Sequence, residues 1–313
     1  IARVRGDSYV LQKNIHYPTD ANLLGDGIRK VIALCAARAE MVPLSGWRQH
    51  AHQFAKARRM KRRIDKVAHS RATDKERALQ DCYRHLLDHI RMIVRRALDS
   101  YKQVNALNRL APARVRRLNE QLASELQYFL GATEYMADLA TRRVLDDQTI
   151  PHAEKVFSLF EPDTELINRG KTPQPIEFGH RVLIVEDRAG FIVHAGVMES
   201  GQTDEKTPVA LMAELQRRFH GKIKAVSFDK GFWSPSNLQD LSAIVPLAVL
   251  PKKGKRAAAD AEREGAKEFG RLRKWHAGVE SAIHALQAGN GLGVCRDKGI
   301  EGYQRYLALG VLG

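Results

Sequence analysis

Residues 223–237 read Ile-Lys-Ala-Val-Ser-Phe-Asp-Lys-Gly-Phe-Trp-Ser-Pro-Ser-Asn. The run from Ile223 to Phe228 is short, apolar and biased towards β-branched side chains, which predicts a buried strand. Asp229 follows at once, and Ser234 with Pro235 is typical of a helix N-cap followed by proline at the first helical position. The segment therefore predicts a strand that carries one carboxylate to its C-terminal edge, where open α/β sheets gather their chemistry. Aspartate is also a common turn residue after a strand, so this residue alone leaves both a turn and a catalytic role open.

Composition and charge limit the class of protein around that segment. The chain has 313 residues, 44% of them hydrophobic, which is enough for a sizeable core and predicts two domains. Its net charge is +15 and its sequence pI is about 9.8. Such an excess favours a polyanionic partner, and nucleic acid is the default choice. The alternative is a ribosome-associated or merely basic protein.

The cysteines and the hydropathy pattern indicate a cytoplasmic protein. Cys35, Cys82 and Cys295 are odd in number, far apart and without CxxC spacing, so neither a disulfide framework nor a zinc site is predicted. No apolar run approaches the roughly 20 residues that span a bilayer, and no signal peptide is visible. The sequence begins at Ile1 in a strand-like run and stops at Gly313 in a helix-like one, so we expect residues to be missing at both ends.

A long helical block follows the first strand. Residues 1–12 alternate loosely and predict a strand with Asp7 near its end or centre, and Thr19 or Asp20 can cap the next helix. From residue 20 to about 147 the pattern is helical, most clearly over 73–110, and a following helix can break at Gly131. Residues 21–150 hold 25 lysines and arginines against 14 acids, most densely over 56–63. This one-signed excess favours a phosphate-contacting surface over an ordinary solvated helix face.

After Pro151 the sequence pattern changes to mixed strands and helices. We expect, in order, a strand at 156–160, a loop at 161–179, a β-hairpin at 181–195, a helix at 205–219, the strand 223–228, a helix near 236–242, a strand at 244–250, a long helix at 257–288 and a last helix from about Gly299. This order is compatible with an α/β fold: a ribonuclease-H-like mixed sheet flanked by helices, with a large all-α insertion after its first strand. The predicted parts are 1–20, the first strand and loop of the core, 21–150, the helical insertion, and 151–313, the remainder of the core.

Three acids are the candidates for chemistry in such a sheet. Asp7 and Asp229 would sit on strands that can be neighbours, and Glu280 lies beside an apolar stripe on the predicted C-terminal helix. Converging carboxylates repel one another unless cations are present, and oxygen ligands suit two Mg²⁺ or Mn²⁺ ions. Such a pair clamps the attacking and leaving oxygens of a phosphoryl displacement. Glu186 and Asp187 are alternatives to Asp7 as the first acid of the three, but their position at a hairpin turn predicts exposure to solvent.

Together these residues resemble the DDE transposases of bacterial insertion sequences, and the ISNCY-type group most of all. The likeness covers essentially the whole chain and is more specific than any single motif. It is carried by Asp7 with 14–20 (Asn-Ile-His-Tyr-Pro-Thr-Asp), 228–235 (Phe-Asp-Lys-Gly-Phe-Trp-Ser-Pro), 277–280 (Ala-Gly-Val-Glu), 156–162, 185–192 and 298–303.

The resemblance implies a ribonuclease-H-like core with the catalytic and metal-binding triad Asp7, Asp229 and Glu280. It also implies Mg²⁺-dependent nicking of double-stranded DNA at transposon ends, transfer of the 3′-hydroxyl to target DNA, and work as a homo-oligomer on paired ends. Relatives usually carry a helix-turn-helix domain before the core, which does not fit before Asp7 here. A lysine that some relatives have seven residues after the glutamate is replaced by Gln287.

Further residues are candidates for DNA contact or for a place beside the triad. Lys230, Arg273 and Lys274 can bind phosphates or be plain surface cations, Trp233 can stack on a base or pack, and His276 precedes Glu280 by four residues and so would share its helix face. His16 either lines the site or structures its loop. Two other functions stay open: a non-catalytic DNA-binding remnant of a transposase, and a metal-dependent nuclease that cuts DNA without joining it.

Overall fold

A computed structural model describes residues 1–41, 44–108, 112–170 and 175–313. The chain divides into two compact units, of which the first comprises residues 1–14 with 163–313 and the second comprises residues 15–162. The first unit is a mixed seven-stranded sheet with helices, and the second is helical. The expected α/β class with helices flanking a mixed sheet is thus confirmed.

The sheet is built around β1, which pairs on both sides. Its strands are β1 Arg3–Lys13, β2 Glu165–Asn168, β3 Ile176–Asp187, β4 Ile192–Val197, β5 Ala225–Ser227, β6 Leu247–Val249 and β7 Val294–Cys295. The order is β2-β3-β1-β5-β6, with β4 paired to β3 and β7 paired to β1. β1 runs antiparallel to β3 but parallel to β5 and β7, and β5 runs parallel to β6. The predicted hairpin is confirmed as β3 and β4.

Alternating side chains of these strands bury the two faces of the sheet under different helices. One face packs on α5 Pro208–Arg218 and α6 Pro235–Ile244 through a cluster that includes Val4, Val226 and Phe228. The other face packs on α9 Val279–Ala288 and α10 Gly299–Leu312 through Tyr9, Leu11 and Ile184. The predicted N-cap of α6 is confirmed, because Ser234 accepts a hydrogen bond from the Asn237 N–H at 3.1 Å.

The helical unit contains α1 Asp20–Ala39, α2 His50–Ala68, α3 Lys75–Asn108 and α4 Ala113–Ala140. Thr19 caps α1 by accepting a hydrogen bond from the Asn22 N–H at 3.1 Å, as expected. The expected break at Gly131 is wrong: α4 continues to Ala140 and then widens into a π-helical turn, Thr141–Leu145. A single helical glycine costs about 1 kcal/mol relative to alanine, and burial of Leu130 and Thr133 on either side offsets that cost.

The expected strand at 156–160 is wrong. This apolar run is irregular and packs with the helical unit through Val156, Leu159 and Phe160. Ser158 turns the chain there, since its Oγ accepts hydrogen bonds from the N–H groups of Phe160 and Glu161. Strand β2 lies a few residues later, inside the segment that the sequence pattern assigned to a loop, and β3 begins earlier than expected.

The long helix expected at 257–288 is also wrong, because three shorter helices take its place. They are α7 Ala258–Gly265, α8 Lys267–His276 and α9 Val279–Ala288. Ala266 has extended dihedral angles (φ −61°, ψ 135°) and separates the first two. Gly278 precedes α9, and a Cβ there would collide with the guanidinium of Arg5. The close approach of the β1 arginine therefore favours glycine at the second break.

Two of the sequence predictions extend beyond the described residues. The helix expected at 73–110 has its last two residues outside the described ranges. The loop expected at 161–179 has residues 171–174 outside them. Within the described ranges, no helix combines the length and the apolar character needed to cross a membrane.

Candidate active site

The pairing of β1 with β5 sets the positions of two acids. Arg5 lies opposite Ser227 in a parallel register. Extended by two residues beyond this last pair, the same register would put Asp7 opposite Asp229, on the same face as Arg5 and Ser227. Asp229 is still extended (φ −78°, ψ −177°), although regular strand pairing ends at Ser227. Adjacent strands are about 4.8 Å apart, so these two carboxylates are neighbours.

One edge of β1 is open beside Asp7. This edge pairs with β5 at residues 3–5 and with β7 at residues 12–13, while β3 occupies the opposite edge along most of the strand. Among the described strands, none covers the interval between these two short pairings. The sheet therefore opens a cleft at the carboxyl end of β5, which is the end where α/β sheets hold ligands.

Glu280 faces this cleft from the first turn of α9. A cavity of about 270 Å³ is lined by Asp7, Asp229 and Glu280, so the three predicted acids come together. Three of the five predicted DNA contacts share the cavity wall. The lining residues are Asp7, Phe228, Asp229, Lys230, Pro251, Arg273, His276, Ala277, Val279 and Glu280.

The electrostatics of the cleft favour a proton on Asp7. Burial, and next to it the charge of Asp229, raise the Asp7 pKa to about 7, against the hydrogen bond from the Ser8 N–H and the charge of Arg169. Asp229 Oδ1 accepts a hydrogen bond from the Gly231 N–H at 2.7 Å. Among the described residues, Glu280 is exposed and its carboxylate has neither a hydrogen bond nor an ion pair. The cleft therefore disfavours a second carboxylate charge next to Asp229.

His276 is a neutral imidazole that lines the cleft together with Asp229 and Glu280. Burial lowers its pKa, while the charge of Asp229, a hydrogen bond to the Ser227 backbone and the charge of Glu280 act in the opposite direction. Its Nδ1 is buried with no hydrogen-bond partner among the described residues. The expectation that His276 and Glu280 share one helix face is wrong, because α8 ends at His276 and α9 begins at Val279. They meet in the cleft through this break instead.

The competing acids at the hairpin are structural. The expected exposure of Glu186 and Asp187 is wrong, since they are only 6% and 9% exposed. Glu186 pairs with Arg5 at 2.6 Å, and Arg5 also donates to the Trp275 carbonyl and stacks on its ring. Asp187 Oδ1 accepts hydrogen bonds from the hairpin N–H groups of 189 and 191. Arg5 thus links β1 to α8 while Glu186 neutralises its charge, and Asp187 shapes the turn.

The remaining candidates lie elsewhere. Trp233 is half-buried in the apolar cluster under α5 and α6, with the Lys252 ammonium 5.3 Å from its ring centre. Lys274 is exposed on α8. Neither is among the described residues that line the cleft. His16 belongs to the helical unit, where its Nε2 lies 2.7 Å from the Asp26 carboxylate.

Sequence reasoning missed a fourth acid, Asp204. It opens the 3₁₀ turn Asp204–Lys206, and its charge contributes to the raised pKa of Asp7. A Cβ built on Gly231 would lie 3.0 Å from Asp229 Oδ1 and 3.5 Å from Asp204 Oδ2, so this glycine separates two carboxylates. Arg181 pairs with Asp204 at 3.7 Å, but Asp204 Oδ1 is buried without a hydrogen bond among the described residues. In the sequence Asp204 looks like an ordinary residue before a helix.

The donor set of the cleft fits hard divalent cations. Carboxylate oxygens are the ligands that Mg²⁺ and Mn²⁺ prefer, and the repulsion that raises the Asp7 pKa is what a cation relieves. Among the described residues, no three acid, histidine or cysteine side chains are arranged as a ready-made metal cage. Glu280 is exposed, so a change of its rotamer towards the aspartates breaks no hydrogen bond or ion pair among the described residues.

Comparison of the chain with protein-family models, with curated proteins and with solved structures finds no match. The case for a function therefore rests on the geometry of the cleft and on the charge distribution.

Proposed function

We propose that this chain is the catalytic core of a DDE transposase of a bacterial insertion sequence, acting on DNA in the cytoplasm. It would cleave the ends of the element and join the 3′-hydroxyl to target DNA, as a homo-oligomer on paired ends. One observation carries the proposal: Asp7, Asp229 and Glu280 line one cavity at the end of the parallel pair β1 and β5.

The order of elements supports a ribonuclease-H-like core. The first unit runs from β1 through the β3–β4 hairpin, α5, β5, α6 and β6 to a set of helices, and its helical interruption follows the first strand. Apart from the added strands β2 and β7 and the division of the expected C-terminal helix into three, this is the order that the sequence pattern led us to expect of such a core. The central strand contributes Asp7, its parallel neighbour ends next to Asp229, and a C-terminal helix supplies the glutamate.

In this proposal Asp7, Asp229 and Glu280 hold a pair of Mg²⁺ or Mn²⁺ ions. Bound ions supply activation of a water or a 3′-hydroxyl and stabilisation of the departing oxygen. Lys230 and Arg273 border the cleft and would contact the phosphates that flank the reacting one. The neutral imidazole of His276 would orient a group in the cleft through hydrogen bonds rather than through charge.

Nicking of supercoiled plasmid with Mg²⁺ or Mn²⁺ tests the proposal. Asp7→Asn, Asp229→Asn and Glu280→Gln should each abolish nicking, while DNA affinity stays near that of the wild type because phosphate contacts persist. The matched control is Asp240→Asn, which changes an exposed acid on α6 that has no hydrogen bond or ion pair among the described residues. Binding of Mn²⁺, followed by electron paramagnetic resonance, should weaken in the three cleft variants and not in the control.

The products separate transposition from its alternatives. Joined products, in which a 3′-end is linked to a second DNA molecule, are the expected result. Cleavage that never yields joined products would replace the proposal with a hydrolytic nuclease. DNA binding without cleavage in either ion would replace it with a non-catalytic remnant. If one of the three variants keeps full activity, that residue is not part of the triad.

A further inference from the structure

The outer face of α2 carries five exposed cations, Arg58, Arg59, Arg62, Arg63 and Lys66, which we call the basic face. At 3.6 residues per turn they cover an arc of about 140° and about 12 Å of the helix axis. The opposite side of α2 holds its buried residues, Ala57 and Ile64. Burial of the apolar side therefore fixes which way the basic face points, which is into solvent.

The cations of the basic face have no acidic partners among the described residues. The one acid on α2 is Asp65, and it pairs with Lys61 at 2.8 Å. The exposed face of α3 is different, since Arg84 pairs with Asp81 and Arg91 pairs with Asp88 on neighbouring turns. An ordinary solvated helix has such alternating charges, and α2 does not.

The spacing of these cations works against the helix itself. Arg58 and Arg62, Arg59 and Arg63, and Arg62 and Lys66 are each four residues apart. Like charges at this spacing destabilise a helix. Neutral or mixed residues would serve the fold of the unit better, so the one-signed pattern is better explained by a ligand that removes the repulsion.

We propose that the basic face of α2 binds the phosphate backbone of duplex DNA. Four of its five cations are arginines, whose planar guanidinium groups match phosphate oxygens in a bidentate way. Duplex DNA presents one negative charge per about 1.7 Å of axis, so a row of about 12 Å meets several phosphates. A protein interface would need apolar or aromatic anchors, and the five side chains offer none.

The identity of the polyanion as DNA rests on the proposed function, whereas the binding surface rests on charge and geometry alone. The surface would make no base contacts, so it would bind without sequence preference. Its affinity would depend steeply on salt, because each neutralised phosphate releases counterions.

The test compares two triple variants that remove the same charge from exposed positions. The α2 variant removes the charges of one row of the basic face through Arg58→Gln, Arg62→Gln and Lys66→Gln. The α3 variant removes three exposed charges from α3 through Arg84→Gln, Arg91→Gln and Arg95→Gln. Fluorescence anisotropy with a short random-sequence duplex gives the affinity at salt concentrations between roughly 50 and 200 mM. The logarithm of the association constant is plotted against the logarithm of the salt concentration. The magnitude of the slope should fall by about 2.7 in the α2 variant and stay unchanged in the α3 variant.

Each alternative result overturns a defined part of the inference. An α2 variant that binds like the wild type, or an α3 variant that loses as much, removes the special role of the basic face. Tighter binding of duplex RNA than of duplex DNA by the wild type would overturn the choice of DNA. Circular dichroism should show both variants folded, and an Arg58→Lys, Arg62→Lys and Arg63→Lys variant should keep the salt slope.

The two proposals can fail separately. Loss of affinity in the α2 variant without any cleavage by the wild type would leave the surface standing and remove the transposase assignment. If the wild type cleaves DNA, Asp7→Asn abolishes that cleavage and the α2 variant binds DNA normally, the transposase assignment stands and the binding surface on α2 is removed.

Discussion

Replacing Asp7 by asparagine should stabilise this protein at neutral pH while destroying its proposed chemistry. The Asp7 pKa is raised to about 7 from an ordinary value of 3.8, first by burial and then by the charge of Asp229. Asparagine resembles the protonated carboxyl in shape and carries no charge. The substitution therefore removes the cost of an ion that the cleft disfavours.

The size and the sign of the effect follow from linkage. Between pH 4 and pH 7 the folded protein keeps a proton on Asp7 that the unfolded chain has lost. Stability must then fall as pH rises through this window, and it levels off above the folded-state pKa. A shift of about 3 units at 1.36 kcal/mol each gives about 4 kcal/mol, and partial solvent access reduces the expected gain to about 2–4 kcal/mol.

Urea denaturation of wild type, Asp7→Asn and Asp240→Asn at pH 4 and pH 8 measures this difference. Asp7→Asn should equal the wild type at pH 4 and exceed it at pH 8, whereas the exposed control should stay within about 0.5 kcal/mol at both. Mg²⁺ in hundredfold excess over its dissociation constant should add about 2.7 kcal/mol to the wild type at pH 8 and much less to Asp7→Asn. A stability difference that does not vary with pH would refute the reasoning, since Asp7 would then ionise normally.

Urea denaturation also tests three further substitutions, two in the scaffold of the cleft and one in the helical unit. Glu186→Gln leaves the Arg5 charge without its partner and should lower the free energy of unfolding by about 3–5 kcal/mol. The double variant Arg5→Met/Glu186→Leu should recover part of that stability, and a wild-type urea midpoint for Glu186→Gln would contradict this expectation. Gly6→Ala places a Cβ 2.5 Å from the Phe228 ring and should cost about 1–3 kcal/mol, relieved by Phe228→Leu if crowding is the cause. Thr19→Ala removes the N-cap of α1 and should cost about 1 kcal/mol, whereas Thr19→Ser should cost almost nothing.

Local patterns were sufficient for the segment around Asp229. The run 223–228 becomes β5 with its buried flanks, and Ser234 caps α6 as its sequence indicates. Such features depend on residues within one turn of each other, because a cap is a hydrogen bond over three residues. The hairpin of β3 and β4 was predictable for the same reason, with Gly190 at a positive φ of 91° in its turn.

Elements whose stability comes from distant partners were not predictable from local patterns. The apolar run 156–160 has the composition of a strand but finds its partners among helices. β2 and β7 are short and exist because β3 and β1 offer them an edge. The helix expected over 257–288 breaks before α9 because Arg5 reaches the Trp275 carbonyl and leaves no room for a side chain on Gly278.

The sequence by itself determined the mixed α/β class, the confirmed hairpin and helix caps, and the concentration of positive charge on the helical block. These follow from composition and from contacts between near neighbours in the chain. Only the tertiary structure decided that Asp7 and Asp229 line one cavity, that Glu186 is buried on Arg5, and that Asp204 adds its charge beside them. Burial and Coulomb energy depend on distance in space, and the residues that set the pKa of Asp7 come from strands and turns far apart in the sequence.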